Sequence, residues 1–186
     1  MHLTRCVTLI PTPRLERPVE QAETYLPLQP LNGRAVLKHT YDAAVSAKSG
    51  EVIVITPTRA VAEYCRQRNL FWRPVKDRDA SDLEYCQELV LQFRPPARVN
   101  VQVIVHWPWF RPLADKRILR QLIKDASGGV ASEAEDEDGC KILGAYPIAL
   151  FLKPQTYKIT RSMWKTNLLP VTAETIYGVA KQLAMM

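Results

Sequence analysis

Few of the features that most often announce a function are present in this sequence. Its four cysteines, Cys6, Cys65, Cys86 and Cys140, lie far apart and none belongs to a C-x-x-C pair. That spacing supports neither a zinc site nor a disulfide framework, and free thiols fit a reducing cytoplasm. No apolar stretch approaches the ~20 residues needed to cross a bilayer, so no membrane partner is expected. The opening Met1-His2-Leu3-Thr4-Arg5 carries no signal-peptide h-region or cleavage site, and the expected location is cytoplasmic. Neither an internal repeat nor a dividing linker appears, so 186 residues are read as one domain, 1–186. Only seven glycines are present, and none falls between Thr12 and Gln21.

What is present is an ordinary globular composition, 47% hydrophobic, with a formal charge of +6. A positive balance suits an anionic ligand such as a nucleotide or sugar acid, or equally a solvated surface. The cations are scattered rather than massed, while acids gather in Glu133–Asp138, which argues against a nucleic-acid platform. That acidic run lacks the alternating ligands and mid-loop glycine of a calcium loop and reads as part of a mobile, solvated segment over 127–139.

Along the chain, Cys6–Pro11 reads as a buried strand, followed by a long loop over 12–32 without period. Ala35–Ala47 predicts a helix stopped by Ser49-Gly50, and Glu51–Thr56 is a continuous β-branched strand. A helix follows from Thr58, with Thr58 or Thr56 as N-cap, then a short strand within Leu70–Val75. Further elements are a helix from Asp79 to Phe93, a strand Val99–His106, a helix Asp115–Asp125, one or two strands over Lys141–Leu152 and a closing helix Thr172–Leu183. Alternating strands and helices predict an α/β domain with a mostly parallel sheet and helices on both faces. Ligands of such sheets bind outside the carboxyl ends of the strands. Three segments fall there: Pro11 to Arg17, Thr56-Pro57, and His106 to Pro112.

Six pieces in this order carry a resemblance. They are Leu9–Arg14, the segment Leu28–Tyr41 with its Pro30-Leu31-Asn32-Gly33-Arg34, Gly50–Pro57 with Ala60–Tyr64, Ala80–Glu84, Val103–Leu113 with the helix from Asp115, and Pro170–Ala180. Together they resemble the cytidylyltransferases for KDO (3-deoxy-manno-octulosonate), acylneuraminate and methylerythritol phosphate. The resemblance implies a Rossmann-like nucleotide-diphospho-sugar transferase fold. It implies a reaction too: attack by a sugar hydroxyl or phosphate on the α-phosphate of CTP, releasing pyrophosphate, in the synthesis of surface-polysaccharide precursors such as those of lipopolysaccharide. A homodimer is also implied, although the segment through which relatives pair is short here.

Several family positions differ. The carboxylate expected after the central strand is Trp107, and the expected D-x-D before the last helix is Leu169-Pro170-Val171. An active enzyme of this kind would use Mg2+, yet these residues supply none of the oxygen ligands a hard cation requires. The phosphate loop reads Leu15-Glu16-Arg17-Pro18-Val19-Glu20-Gln21, with no glycine to bring N–H groups near a phosphate. Asp42, Asp77, Asp79 and Asp82 are the carboxylates left in the relevant half.

The site residues expected on this basis have plainer alternatives. Pro11, Thr12, Arg14, Arg17, Thr56 and Ser81 would line the nucleotide, with Arg14 and Arg17 holding its phosphates; otherwise the arginines are exposed loop residues and Ser81 is a helix cap. His106 is the best general acid/base candidate, with Arg111 beside it; otherwise it is a buried neutral histidine without an evident partner. Trp107 and Trp109 with Phe110 would stack on a base or sugar or plug the site; otherwise they are core or partner-interface residues. His39 reads as structural. Two functions stay open: an enzyme transferring CMP from CTP to a sugar acid or sugar phosphate, and a non-catalytic nucleotide-binding or protein-interaction paralogue. An exposed aromatic patch would favour the second.

Overall fold

Three runs of aliphatic residues that bury both of their faces set the centre of this molecule. The computed structural model describes residues 4–14, 26–75, 86, 89–90, 101–111, 116–136, 141–148 and 160–166. In chain order the elements are β1 (Thr4–Pro11), a 3-10 turn (Leu26–Leu28), β2 (Pro30–Leu31), β3 (Arg34–Ala35), α1 (Val36–Ser46), β4 (Glu51–Thr56), α2 (Arg59–Gln67), β5 (Trp72–Pro74), β6 (Val101–His106), α3 (Lys116–Ser127), β7 (Ser132–Asp136), β8 (Lys141–Pro147) and β9 (Thr160–Thr166).

Seven strands form one sheet in the order β5-β4-β1-β6-β8-β7-β9, and only β8 runs antiparallel to its neighbours. The central strands are continuous hydrophobic runs because both faces are covered, as parallel sheets require. Val52 and Val54 face a core with Ile10, Val103 and Val105, over which α1, α2 and α3 pack. Ile53 and Ile55 face the opposite core with Leu9, Ile104 and Tyr146, closed by the helical residues Cys86, Leu89 and Val90. Each buried Leu or Ile contributes about 1.5–3 kcal/mol, so the two faces together drive the fold.

Local chemistry explains most boundaries. Helix α1 ends where Lys48 and Gly50 take positive φ (57° and 85°) and the Ser49 hydroxyl donates to the Ala44 carbonyl at 2.8 Å. A Cβ at Gly50 would overlap the backbone carbonyl of Cys6, so the turn into β4 admits no side chain there. On α3, Ile118, Leu119, Leu122 and Ala126 form the buried stripe, with Ile123 at its edge.

Four expectations change. The loop over 12–32 is not structureless to its end: Pro30–Ala35 is a β2–β3 hairpin turning on Asn32-Gly33, both at positive φ (49° and 75°). Thr58 sits at the N-cap of α2 but makes no capping bond there, because its hydroxyl donates to the Pro13 carbonyl at 3.3 Å. The acidic segment is not a solvated loop over 127–139: 132–136 is strand β7, and Glu133 is buried. Strand β9 was not expected at all, and beyond it the closing helix Thr172–Leu183 lies outside the described residues.

Candidate functional site at the strand switch

The chain leaves β1 toward β4 and β5, then returns to place β6 on the other side of β1. Such a reversal opens a crevice at the carboxyl ends of the two central strands, because their connections diverge to opposite sides. Backbone bonds carry the ladders slightly past the strands here. The Trp107 N–H donates to the Leu9 carbonyl at 2.9 Å, and the Thr12 N–H donates to the Ile55 carbonyl at 2.9 Å. The ends of β1, β4 and β6 therefore lie level, and the segments 11–14, 56–58 and 106–111 form one mouth.

Within that mouth the threonines serve the backbone. Thr12, Thr56 and Thr58 are all buried. The Thr12 hydroxyl donates to the Ile55 carbonyl at 3.2 Å, and the Thr56 hydroxyl accepts the Thr58 N–H at 3.1 Å. Pro11 is buried as well, whereas Arg14 is exposed and extends the same edge. Arg17, Ser81, Asp77, Asp79, Asp82 and the Leu169-Pro170-Val171 segment lie outside the described residues. Asp42 lies on α1, where Lys38 Nζ approaches it at 2.5 and 2.7 Å.

The turn after β6 is rigidly tied. The Trp107 indole N–H donates to the Arg111 carbonyl at 3.0 Å, and the Arg111 N–H donates to the Pro108 carbonyl at 3.1 Å. From α1, the Thr40 hydroxyl donates to the Trp109 carbonyl at 2.6 Å. Trp107 is fully buried and Trp109 only 8% exposed, so neither indole offers a face to a ligand or to a partner. These two are core residues, and the exposed aromatic patch that would mark an interface is not formed by them. Arg111 is buried too, its guanidinium 5.2 Å from the ring centre of Phe110. His39 is structural, with Nε2 2.6 Å from the Leu31 carbonyl in the hairpin.

His106 is half-buried at the end of β6. It pairs across the sheet with Gly144 of β8, and Gly144 pairs in turn with Glu133 of β7. Paired residues share a sheet face, so Glu133 stands about 10 Å along one row from His106, two strand spacings away. The gap above Gly144 is filled by Tyr146, whose hydroxyl donates to Glu133 Oε1; a Cβ at Gly144 would overlap that phenol. In the sequence alone His106 has no evident partner and Glu133 reads as solvated. The missed signal is the small–large pair Gly144-x-Tyr146, which lets a phenol fold over its own strand.

Solved structures supply the comparison. The chain superposes on CMP:2-keto-3-deoxy-manno-octonic acid synthetase complexed with CTP at a TM-score of 0.74 and 11% identity, covering 98% of this chain and 99% of the other. It superposes on 4-diphosphocytidyl-2C-methyl-D-erythritol synthase at a TM-score of 0.70 and 12% identity, covering 98% and 100%. This is the nucleotide-diphospho-sugar transferase fold. A third protein with that fold is Rv0371C of Mycobacterium tuberculosis H37Rv in complex with manganese, at a TM-score of 0.65, 15% identity and coverage of 98% and 99%. No family model matches the sequence, and no curated protein matches it significantly. No helix among the described residues is long and apolar enough to cross a membrane.

A divalent cation does not fit the mouth as its described residues stand. A hard ion needs oxygen ligands, and the buried indole of Trp107 occupies the position where the resemblance expects a carboxylate. Among the described residues no group of three His, Cys, Asp or Glu could hold a metal.

Proposed function

We propose that this protein is nucleotidyltransferase-like and takes CTP at the strand switch, transferring CMP to a sugar acid or sugar phosphate. The observation that carries the reading is the meeting of 11–14 and 106–111 at the β1–β6 reversal, on a fold whose neighbours are cytidylyltransferases. In this reading an oxygen of the acceptor attacks the α-phosphorus of CTP, and the bond to pyrophosphate breaks. Arg14, and Arg17 beyond it, meet the phosphates, because charge-assisted bonds from guanidinium to phosphate are the strong ones. Arg111, held by the turn, contributes fixed positive potential from within the wall. Where the acceptor is a hydroxyl, His106 at the end of β6 takes its proton, with Gly144 and Glu133 in the same cross-strand row. The manganese complex of Rv0371C makes Mn2+, with Mg2+, the ion to add in the assay.

Trp107 favours a second reading, a nucleotide-binding paralogue without catalysis, because a buried indole stands where the transfer chemistry expects a carboxylate. One experiment separates the two. Thermal unfolding is followed with CTP, CMP and UTP, each with and without Mg2+ or Mn2+, and pyrophosphate release is followed with sugar-acid and sugar-phosphate acceptors. A ligand at a hundred times its Kd stabilises by about 2.7 kcal/mol, which raises Tm by about 5–10 °C for a chain of this size. Stabilisation by CTP with pyrophosphate release supports the enzyme. Stabilisation without release leaves the paralogue, and no response to any nucleotide overturns both.

A further inference from the structure

The β2–β3 hairpin stands beside α1 and α2 and completes a groove that the strand-switch mouth does not use. It has a volume of about 430 Å3 and is lined by Leu28, Pro30, Gly33, Arg34, Lys38, Tyr64 and Arg68 among others. Its walls are of two kinds. Leu28, Pro30 and Tyr64 give it apolar surface, and Arg34, Lys38 and Arg68 bring three cations to it. Among the described residues one carboxylate answers them: Asp42 takes Lys38 at 2.5 Å and meets Arg34 at 3.9 Å. The groove is therefore left with a net positive charge. The Arg68 guanidinium is 5.8 Å from the centre of the Tyr64 ring, so cation and aromatic face are already set side by side. Gly33 lines the groove at a turn whose φ of 75° favours glycine.

We propose that this groove binds a phosphate-bearing ligand with a planar ring, of mononucleotide size. The volume falls in the range of small-molecule sites, 300–1,000 Å3. Arg34 and Arg68 would each give the phosphate one charge-assisted bond, and the ring would lie on Leu28 and Pro30 against Tyr64. This site is separate from the mouth and does not depend on CTP binding there.

Amide chemical-shift titration with inorganic phosphate and with CMP tests it. Saturating shifts are expected at Gly33, Arg34, Lys38, Tyr64 and Arg68 with both probes, with CMP about tenfold tighter because one ring stacks. Arg34→Ala and Arg68→Ala should each weaken binding about tenfold, as expected for one charge-assisted bond. Both residues are exposed, so both variants should melt with the wild type. Arg14→Ala should leave the groove affinity unchanged, and shifts at Thr12, Arg14 and Trp107 report the mouth independently. Three results would each overturn the proposal: no saturable shifts around Gly33 and Arg68, wild-type affinity in both arginine variants, or CMP binding no tighter than phosphate.

Discussion

Tyr146→Phe removes one hydroxyl from the buried bond to Glu133 while leaving the ring that fills the space over Gly144. No cavity is made, so the cost is that of the bond itself. Hydrogen bonds to charged groups contribute about 1.5–3 kcal/mol, and at 2% exposure for Glu133 and 1% for Tyr146 water has no room to replace the lost donor. For a chain of this size that loss lowers Tm by about 3–12 °C. Glu133→Gln keeps the acceptor oxygen and the volume but weakens the bond, and the double variant closes a thermodynamic cycle. Urea unfolding of the four proteins should give a coupling energy of at least about 1 kcal/mol, as for residues in direct contact. If Tyr146→Phe stays within about 0.5 kcal/mol of wild type and the coupling is zero, Glu133 does not lie in the β7 register described, and the row from His106 is refuted.

Two further outcomes are expected. Thr40→Val keeps the volume but leaves the buried Trp109 carbonyl without the bond from Thr40, so it should cost about 1–3 kcal/mol in urea unfolding, with Thr40→Ser restoring most of it. Burial pushes the Cys6 and Cys65 thiols up to about 12. From about pH 8.5 upward the unfolded chain ionises these thiols and the native chain does not, so stability present below that pH is lost as pH rises toward 12. The slope is about 1.4 kcal/mol per pH unit for each thiol, and Cys65→Ser should remove its own share of the alkaline loss in melts run from pH 8 to 11.

The sequence alone determined the central strands, because Glu51–Thr56 and Val101–His106 are aliphatic runs that only a sheet covered on both faces can bury. It also determined α1 to within a residue at each end, because apolar spacing and the Ser49-Gly50 stop act over one or two turns. Tertiary structure decided the rest. Strand order, and with it the meeting of 11–14 and 106–111, depends on pairings between residues about a hundred positions apart, which no local pattern encodes. The burial of Glu133 depends on the same kind of pairing: a carboxylate in an acidic run reads as solvated until β8 brings Tyr146 to it. Trp107 shows the reverse. Its absence of oxygen ligands was legible from the residue alone, whereas its role as a buried tie to Arg111 required the turn in three dimensions. The Asn32-Gly33 hairpin was a local signal and could have been read; the groove it builds with α1 and α2 could not, because its walls join residues 28–38 to 64–68 only after both helices have packed on the sheet.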